Sequence, residues 1–299
     1  MREPSYLALF ETKLLSRRRQ EVKGLLAKCS LCPRECGINR LQGEKGFCRA
    51  AQLPVVSSSG PHFGEEPVLV GRFGSGAIFF THCNLCCVFC QNYDISQLGR
   101  GQEVSFEELA SIMLSLQKRG CHNINFVSPT HMVYPILQAL LLAIPRGFRL
   151  PLVYNSGGYD SVSTLRLLEG IFDIYLPDFK YSVAETALKL SGVENYPETA
   201  KSAIAEMFRQ VGDLKIDPDG VARRGLIVRH LVLPDNLSGT EEVIEFLARL
   251  SPDTYLNLMD QYRPEYRAGD DPRLGRRITR EEFSRAVSMA REKLRRVGT

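Results

Sequence analysis

The sequence has no long apolar run, no large excess of either charge and no segment typical of export. Its longest apolar stretch, residues 136–144, is interrupted by Gln138 and follows Pro135, so it is too short to span a membrane. Lys and Arg total 38 against 34 Asp and Glu, a net charge of +4, and the Arg clusters near both ends are typical of solvated helix faces. The N-terminus lacks the pattern of a secretory signal. We expect a cytoplasmic protein with no membrane partner, and the mild net charge does not by itself indicate a nucleic-acid partner.

Cysteine, by contrast, is abundant, with nine residues in 299. In a reducing compartment, closely spaced thiols indicate metal binding or catalysis before disulfides. Eight of the nine fall into two clusters. The ninth, Cys121, stands alone before an apolar run, and we expect it to be a buried, inert thiol.

From about Gly76 onward, short apolar runs alternate with longer amphipathic stretches. The runs are nearly continuous in apolar residues, as is typical of parallel strands covered on both faces. The six predicted strands are Ala77–Thr81, Asn123–Val127, Leu150–Tyr154, Ile171–Leu176, Leu226–Leu233 and Thr254–Met259.

Six successive βα units predict an α/β fold, an open or partial (β/α)6 barrel with right-handed crossovers. A flat doubly wound sheet is the alternative that the pattern leaves open. Residues 76–299 would form the barrel. Residues 1–75 do not alternate, and we expect an N-terminal helix, a Cys-rich metal-binding extension and a Gly/Pro/Ser-rich stretch (55–76) that wraps or links. In such barrels the chemistry gathers at the carboxyl ends of the strands.

Helix boundaries have recognisable signals. Residues 105–108 and 279–282 have the pattern of capping boxes, and residues 238–241 are expected to open a helix between them. Gly192 and Pro197 should divide the helical stretch after the fourth strand into two segments.

The first predicted strand is followed by Cys83, Cys87 and Cys90, a C-x3-C-x2-C triplet in a loop. Three thiolates around a cubane cluster ligate three irons and leave the fourth open, whereas an electron-transfer [4Fe–4S] site uses four cysteines. Cys86 allows a second interpretation, a zinc knuckle, but adjacent Cys86 and Cys87 fit a tetrahedral cage badly. We therefore do not expect Cys86 to be a ligand.

The triplet, with Phe89 before its last cysteine, resembles the signature of the radical SAM superfamily. Over residues 29–285 the sequence resembles the branch related to pyruvate formate-lyase activating enzymes. The segments that carry this likeness are Cys90-Gln91-Asn92-Tyr93, Ser128-Pro129-Thr130-His131, Tyr154-Asn155-Ser156-Gly157-Gly158, Leu176-Pro177-Asp178-Phe179-Lys180, Arg229-His230-Leu231-Val232-Leu233-Pro234 and Asn257-Leu258-Met259-Asp260-Gln261-Tyr262.

The resemblance implies an enzyme whose [4Fe–4S] cluster binds S-adenosylmethionine and cleaves it reductively to a 5′-deoxyadenosyl radical, which abstracts hydrogen from a substrate. The cofactors supply the hard chemistry and the protein supplies position, so no catalytic side chain is assigned. The implied partners are S-adenosylmethionine, an electron donor such as flavodoxin or ferredoxin and, for an activase, a protein substrate.

The resemblance also implies a set of cofactor-binding residues at the strand ends. Lys180 suits the methionyl carboxylate, and Asp178 suits a ribose hydroxyl or a monovalent cation, with a surface ion pair as the alternative. Arg229 is expected to face inward and His230 to face the helices. Residues 128–130 lack the Gly-Gly-Glu segment common in the superfamily, so hydroxyls or backbone carbonyls would replace it. The complete set is Phe89, Ser128, Thr130, Asn155, Ser156, Asp178, Lys180, Arg229, Asn257 and Met259.

A second cysteine set, C-x2-C-x3-C-x11-C, lies in the N-terminal extension. Four thiols in a Gly- and Pro-containing loop are typical of a closed site, either a structural zinc or an auxiliary iron–sulfur cluster, and the spacing does not choose between them. Thiols that bind nothing are the remaining alternative. The residues are Cys29, Cys32, Cys36 and Cys48.

Three functional hypotheses remain open. The first is a radical SAM activase that abstracts hydrogen from a glycine of a partner protein. The second keeps this chemistry but changes the substrate to a small molecule, a peptide or a tRNA. The third is a non-catalytic iron–sulfur or zinc module.

Overall fold

The computed structural model describes residues 3–299 and contains a single ten-stranded sheet system. The strands are β1 Val55–His62, β2 Ser75–Phe80, β3 Gln102–Glu103, β4 Ile124–Val127, β5 Leu152–Ser156, β6 Ile174–Pro177, β7 Lys215–Ile216, β8 Ala222–Leu231, β9 Tyr255–Met259 and β10 Arg296–Gly298.

Helices fill most of the connections between the strands. They are α1 Tyr6–Glu11, α2 Leu14–Leu25, α3 Pro67–Val70, α4 Tyr93–Ser96, α5 Phe106–Lys118, α6 Val133–Ala143, α7 Val162–Leu167, α8 Ala184–Ser191, α9 Tyr196–Val211, α10 Thr240–Leu250 and α11 Arg280–Lys293. None of the helices in residues 3–299 is both long and apolar enough to cross a membrane.

The order of the strands distinguishes a barrel from a doubly wound sheet. β2, β4, β5, β6, β8, β9 and β10 follow one another in the sheet in chain order and pair in parallel. A doubly wound sheet reverses its order at a switch point, and this one does not reverse. The predicted α/β partial barrel is confirmed, and the flat alternative is wrong.

Two apolar cores cover the two faces of the sheet. The larger core packs the helices against the outer face, with residues such as Phe126, Ile136 and Leu247 fully buried. The smaller core lies on the inner face, where Val153, Ile174, Leu176 and Ile227 of three strands pack around Leu69 of α3. The short α3 therefore closes the barrel at the amino ends of its strands.

The six predicted strands all exist, with shifted ends. β5 runs two residues further than expected, because Asn155 and Ser156 pair with Leu176 and Pro177 of β6. The prediction that residues 55–76 only wrap or link is wrong, since β1 pairs antiparallel with β2 and so adds a strand beyond the parallel set. The domain division at residue 75 stays a prediction.

Local helix signals were accurate where two side chains cap reciprocally. Both predicted capping boxes form, at the starts of α5 and α11, and the break between α8 and α9 is present. The expected start at Ser238 is wrong. α10 begins at Thr240 after Gly239, which takes a left-handed conformation with φ of 62°, while the Ser238 hydroxyl accepts a bond from Leu233 instead.

Gly158 marks a close approach between the loop after β5 and the loop after β6. Its φ is +76°, and a Cβ at this position would overlap the carbonyl oxygen of Asp178. Gly147 has a similar φ of +89° but open space around it.

We expect Gly158→Ala to lower the free energy of unfolding by about 2–4 kcal/mol, because left-handed strain adds to overpacking against a backbone atom. Gly147→Ala is the matched control and should cost only about 1 kcal/mol, since strain acts alone there. Urea unfolding of both variants measures the difference. Equal losses would show that the close approach to Asp178 has no energetic effect.

Candidate functional site

A cavity of about 220 Å³ lies at the carboxyl ends of the parallel strands. This is the edge at which the barrel fold predicts the chemistry. It is lined by the loop after β2 and by residues at or beyond the ends of β4, β5, β6, β8 and β9: Cys83, Leu85, Cys87, Phe89, Cys90, Gln91, Asn92, Ser96, Gln97, Val127, Ser128, Asn155, Ser156, Gly157, Asp178, Lys180, Arg229, Leu231, Met259 and Gln261.

Cys83, Cys87 and Cys90 all line this cavity, and each sulfur has a polar neighbour. The Cys87 Sγ lies 2.9 Å from the hydroxyl of Ser191, the last residue of α8. The Cys90 Sγ lies 3.1 Å from the hydroxyl of Ser96, and the Cys83 Sγ accepts a bond of 3.4 Å from the backbone of Leu85. The three thiols therefore share one space, each with its own hydrogen-bonding group.

Cys86 lies outside the cavity. Its thiol donates to the carbonyl oxygen of Ser191 at 3.3 Å, and its backbone N–H donates to the same oxygen. Val88 adds a further backbone bond to Leu190. These contacts fasten the cysteine loop to the end of α8 and turn Cys86 away from the three other thiols.

The donor set fits a cubane cluster, because three thiols can each ligate a different iron of one [4Fe–4S] cluster. Burial raises the pKa of Cys83 to about 12 and that of Cys87 to about 11, where Lys180 counteracts part of the effect. Cluster binding must therefore displace thiol protons.

Asp178 forms the centre of an ion network on the cavity wall. One carboxylate oxygen accepts from the Lys180 Nζ at 2.7 Å, and the other accepts from the Arg229 Nε at 2.8 Å. Burial alone would raise the pKa of Asp178, but Arg229 and Lys180 lower it below its ordinary value. Burial alone would lower the pKa of Lys180, and Asp178 raises it. All three groups are therefore charged at neutral pH.

Eight of the ten predicted cofactor-binding residues line the cavity, and Thr130 and Asn257 do not. Thr130 donates to the buried carboxylate of Asp160 at 2.7 Å, beneath the strand ends. The Asn257 amide donates to the Glu66 Oε1 at 3.0 Å, one layer deeper in the barrel. The eight are Phe89, Ser128, Asn155, Ser156, Asp178, Lys180, Arg229 and Met259.

Neighbours on β8 point to opposite faces of the sheet. Arg229 faces the cavity, where its guanidinium also donates to the Asn155 Oδ1 at 2.6 Å. His230 faces the helices and is fully buried, with its Nδ1 2.6 Å from the carbonyl oxygen of Phe179 and its Nε2 3.0 Å from the hydroxyl of Thr240.

A second group of polar side chains lies inside the barrel beneath the cavity, and only two of its members, Asn155 and Asn257, were predicted from the sequence. We call it the polar layer and define it as Glu65, Glu66, Asn125, Asn155 and Asn257. Arg229 connects it to the cavity, because its guanidinium lies 3.7 Å from the Glu65 Oε2. Two adjacent acids immediately before Pro67 were the only sequence signal for this group.

The four N-terminal cysteines also share one small pocket. Cys29, Cys32 and Cys48 are buried and Cys36 is exposed, and all four line the pocket together with Arg34, Arg40, Phe47 and His131. Burial raises the pKa of Cys32 to about 12. The Arg34 guanidinium donates to the carbonyl oxygen of Asn84 at 3.0 Å, so this pocket contacts the loop that carries the other thiols.

One comparison with known proteins identifies a family. Residues 77–299 match the model of the radical SAM superfamily. An uncharacterized protein of Methanocaldococcus jannaschii, MJ0674, is 35% identical over 294 residues, covering 95% of this chain and 80% of that protein.

Two solved structures show more distant similarity. TYW1 with a lysine–pyruvate adduct bound has a TM-score of 0.45 and 12% identity, over 73% of this chain and 74% of that one. Native anSMEcpe with bound AdoMet and the Cp18Cys peptide has a TM-score of 0.44 and 10% identity, over 73% of this chain and 60% of that one.

The buried His230 should make stability depend on pH. Burial lowers its pKa from the ordinary 6.5 to about 4 in the folded protein, so between these values the unfolded chain binds a proton that the folded one does not. Stability is therefore lost as the pH falls below 6.5, by about 2 kcal/mol at pH 5 for this one group.

Urea unfolding of wild type and His230→Gln at pH 7 and pH 5 measures this contribution. The loss between the two pH values should be about 2 kcal/mol smaller in the variant, because its side chain does not titrate. The same loss in both proteins would contradict the buried neutral histidine.

Proposed function

Because this chain belongs to the radical SAM superfamily, and is thus a radical SAM enzyme that uses a [4Fe–4S] cluster and S-adenosylmethionine, we propose that Cys83, Cys87 and Cys90 hold the cluster. The observation that carries the proposal is the convergence of these three thiols on one cavity at the carboxyl edge of the barrel. Three ligands leave one iron of a cubane open for a substrate or cofactor.

When bound, these cofactors supply an electron and a sulfonium bond whose reductive cleavage gives a 5′-deoxyadenosyl radical that abstracts hydrogen from the substrate. The chain's own residues bind and orient. In our proposal Lys180 binds the methionyl carboxylate, and Asp178 keeps Lys180 charged and fixed at 2.7 Å. The remaining cavity residues Phe89, Ser128, Asn155, Ser156, Arg229 and Met259 would contact the rest of the cofactor.

Two tyrosine rings pack against Phe89 at the cavity wall. Its ring makes edge contacts with Tyr181 at 6.3 Å and Tyr262 at 5.8 Å between centroids. Edge-to-face packing of this kind stabilises a ring in one orientation. The aromatic residue before the last cysteine is therefore held rigidly at the cavity wall.

For the substrate, we propose first the activase role, hydrogen abstraction from a glycine of a partner protein. It is supported by the resemblance over residues 29–285 to pyruvate formate-lyase activating enzymes. An external one-electron donor such as flavodoxin or ferredoxin would be required, and a reducing compartment such as the cytoplasm would keep the thiols free.

A small-molecule substrate is the second candidate, and the polar layer favours it. Charged and amide side chains are costly to bury in a barrel interior unless they have partners. A small polar substrate entering through the cavity would supply such partners, whereas a protein surface would remain at the rim.

Cys87→Ala should abolish release of 5′-deoxyadenosine from S-adenosylmethionine by the reconstituted, dithionite-reduced protein, since it removes one of three cluster ligands. Cys86→Ala is the matched control and should keep most of the activity, because its thiol points to Ser191. Anaerobic chromatography of the products, with iron content measured in parallel, checks both. Wild-type protein that contains a full cluster and releases no 5′-deoxyadenosine would overturn the proposal.

We also propose that Cys29, Cys32, Cys36 and Cys48 hold a second metal, either zinc or an auxiliary cluster. Their common pocket supports a complete ligand set. Elemental analysis of Cys32→Ser against wild type should show the loss of about one zinc, or about four irons, per chain. Cys121→Ser, outside both clusters, should lose neither, and unchanged metal content in Cys32→Ser would contradict the second site.

A further inference from the structure

The polar layer contains more buried hydrogen-bonding capacity than the protein itself satisfies. Asn125 is fully buried, and neither its Nδ2 nor its Oδ1 has a hydrogen-bond partner. The Glu66 Oε2 and the Asn155 Nδ2 are also unpartnered, in residues that are 4% and 2% exposed. The Asn125 side chain approaches the Glu65 carboxylate as a hydrogen-bonding group and lowers the pKa of that acid, but the contact does not reach full hydrogen-bond geometry. Buried polar groups of this kind normally have partners.

The residues that carry these atoms are neighbours inside the barrel. Asn125 and Asn155 lie on the neighbouring strands β4 and β5. Asn155 pairs with Val127, and Asn125 lies two residues before Val127 on the same face of β4, nearer the amino end of the strand. Asn257 holds Glu66 by a bond of 3.0 Å, and Arg229 contacts both Asn155 and Glu65. The layer thus lies deeper in the barrel than the cavity and meets it at Asn155 and Arg229, which line the cavity.

The charges of this region do not balance. Glu65, Glu66 and Asp178 are three acids, and Lys180 and Arg229 are two bases. Asp178 takes both bases at 2.7 and 2.8 Å, whereas the contact of Arg229 with Glu65 is longer, at 3.7 Å. Uncompensated negative charge in a barrel interior is costly.

We propose that the polar layer binds a small organic cation, a protonated amine carried next to an oxygen acceptor, as part of the substrate. The unpartnered acceptors, Glu66 Oε2 and Asn125 Oδ1, take the N–H donors of the amine. The unpartnered donors, Asn125 Nδ2 and Asn155 Nδ2, take the neighbouring oxygen. This inference rests on the second candidate of the proposed function, because the ligand is then the small-molecule substrate of that reaction.

Two simpler occupants fit less well. Water would satisfy donors and acceptors but would not compensate the excess negative charge. A bare metal cation such as K⁺ would compensate the charge but would offer no acceptor to the two amide donors. An amine beside a carbonyl or hydroxyl satisfies both requirements, and its positive charge competes with Arg229 only at the longest contact of that guanidinium.

The test is anaerobic titration calorimetry of the reconstituted protein with glycinamide, whose ammonium group adjoins a carbonyl. We expect saturable binding that weakens at least tenfold in Glu66→Gln and is unchanged in Glu107→Gln, an exposed acid in the first turn of α5. Propanamide, which lacks the amine, should bind at least tenfold more weakly than glycinamide. Equal binding of the two amides, or equal binding by wild type and Glu66→Gln, would overturn the proposal.

A competition experiment and a replacement variant complete the test. KCl should not displace glycinamide, and displacement at millimolar concentration would assign the layer to a metal cation instead. If Glu66→Gln does not show wild-type thermal unfolding, Asn125→Leu replaces it with the same expected loss. Release of 5′-deoxyadenosine is measured separately, so a protein that binds glycinamide but does not cleave S-adenosylmethionine contradicts the proposed function alone.

Discussion

The Asp178 carboxylate connects the two basic side chains on which the cavity depends. Its bonds to Lys180 and Arg229 join the end of β6 to β8 at the point where their regular pairing has stopped, through a bridge between Asp178 and Arg229. Without this carboxylate, two half-buried cations would lie beside each other on the cavity wall without a counter-charge, which is destabilising. The same contacts aim Lys180 at the cavity and Arg229 at the polar layer. Asp178 therefore positions both the basic residue that faces the cavity and the one that contacts the polar layer.

Much of the fold was predictable because its signals are local. Reciprocal capping at Ser105 and Glu108 depends on four consecutive residues, and the helix starts where the pattern indicates. The strand positions follow from short apolar runs. β1 was missed because it lacks an apolar run and its pairing with β2 depends on tertiary contact. The helix at Thr240 was misplaced because Gly239 and Asn236 cap it in place of Ser238.

In the candidate site, too, the residues that were predicted correctly belong to a local motif, and those that were not depend on distant partners. The cysteine triplet is a local motif, and its three thiols converge as their spacing indicates. Thr130 and Asn257 were selected from the resemblance and from their position at or near a strand end, but their side chains have partners, Asp160 and Glu66, that lie elsewhere in the chain. No local pattern reports such partners. Glu65 and Glu66 were overlooked for the converse reason, since they lie in a loop and reach the interior only because α3 closes the barrel behind them.

The closing of the barrel by α3 affects the order in which ligands can bind. Leu69 is fully buried against the inner core at the amino ends of the strands, whereas the cavity lies at the carboxyl edge, so in our proposal a ligand of the polar layer enters from the carboxyl edge. A cofactor that fills the cavity at that edge would stand in its path. Binding would then be ordered, with the deeper ligand entering first and leaving last, and an excess of S-adenosylmethionine over substrate would slow turnover by trapping the enzyme with its polar layer empty.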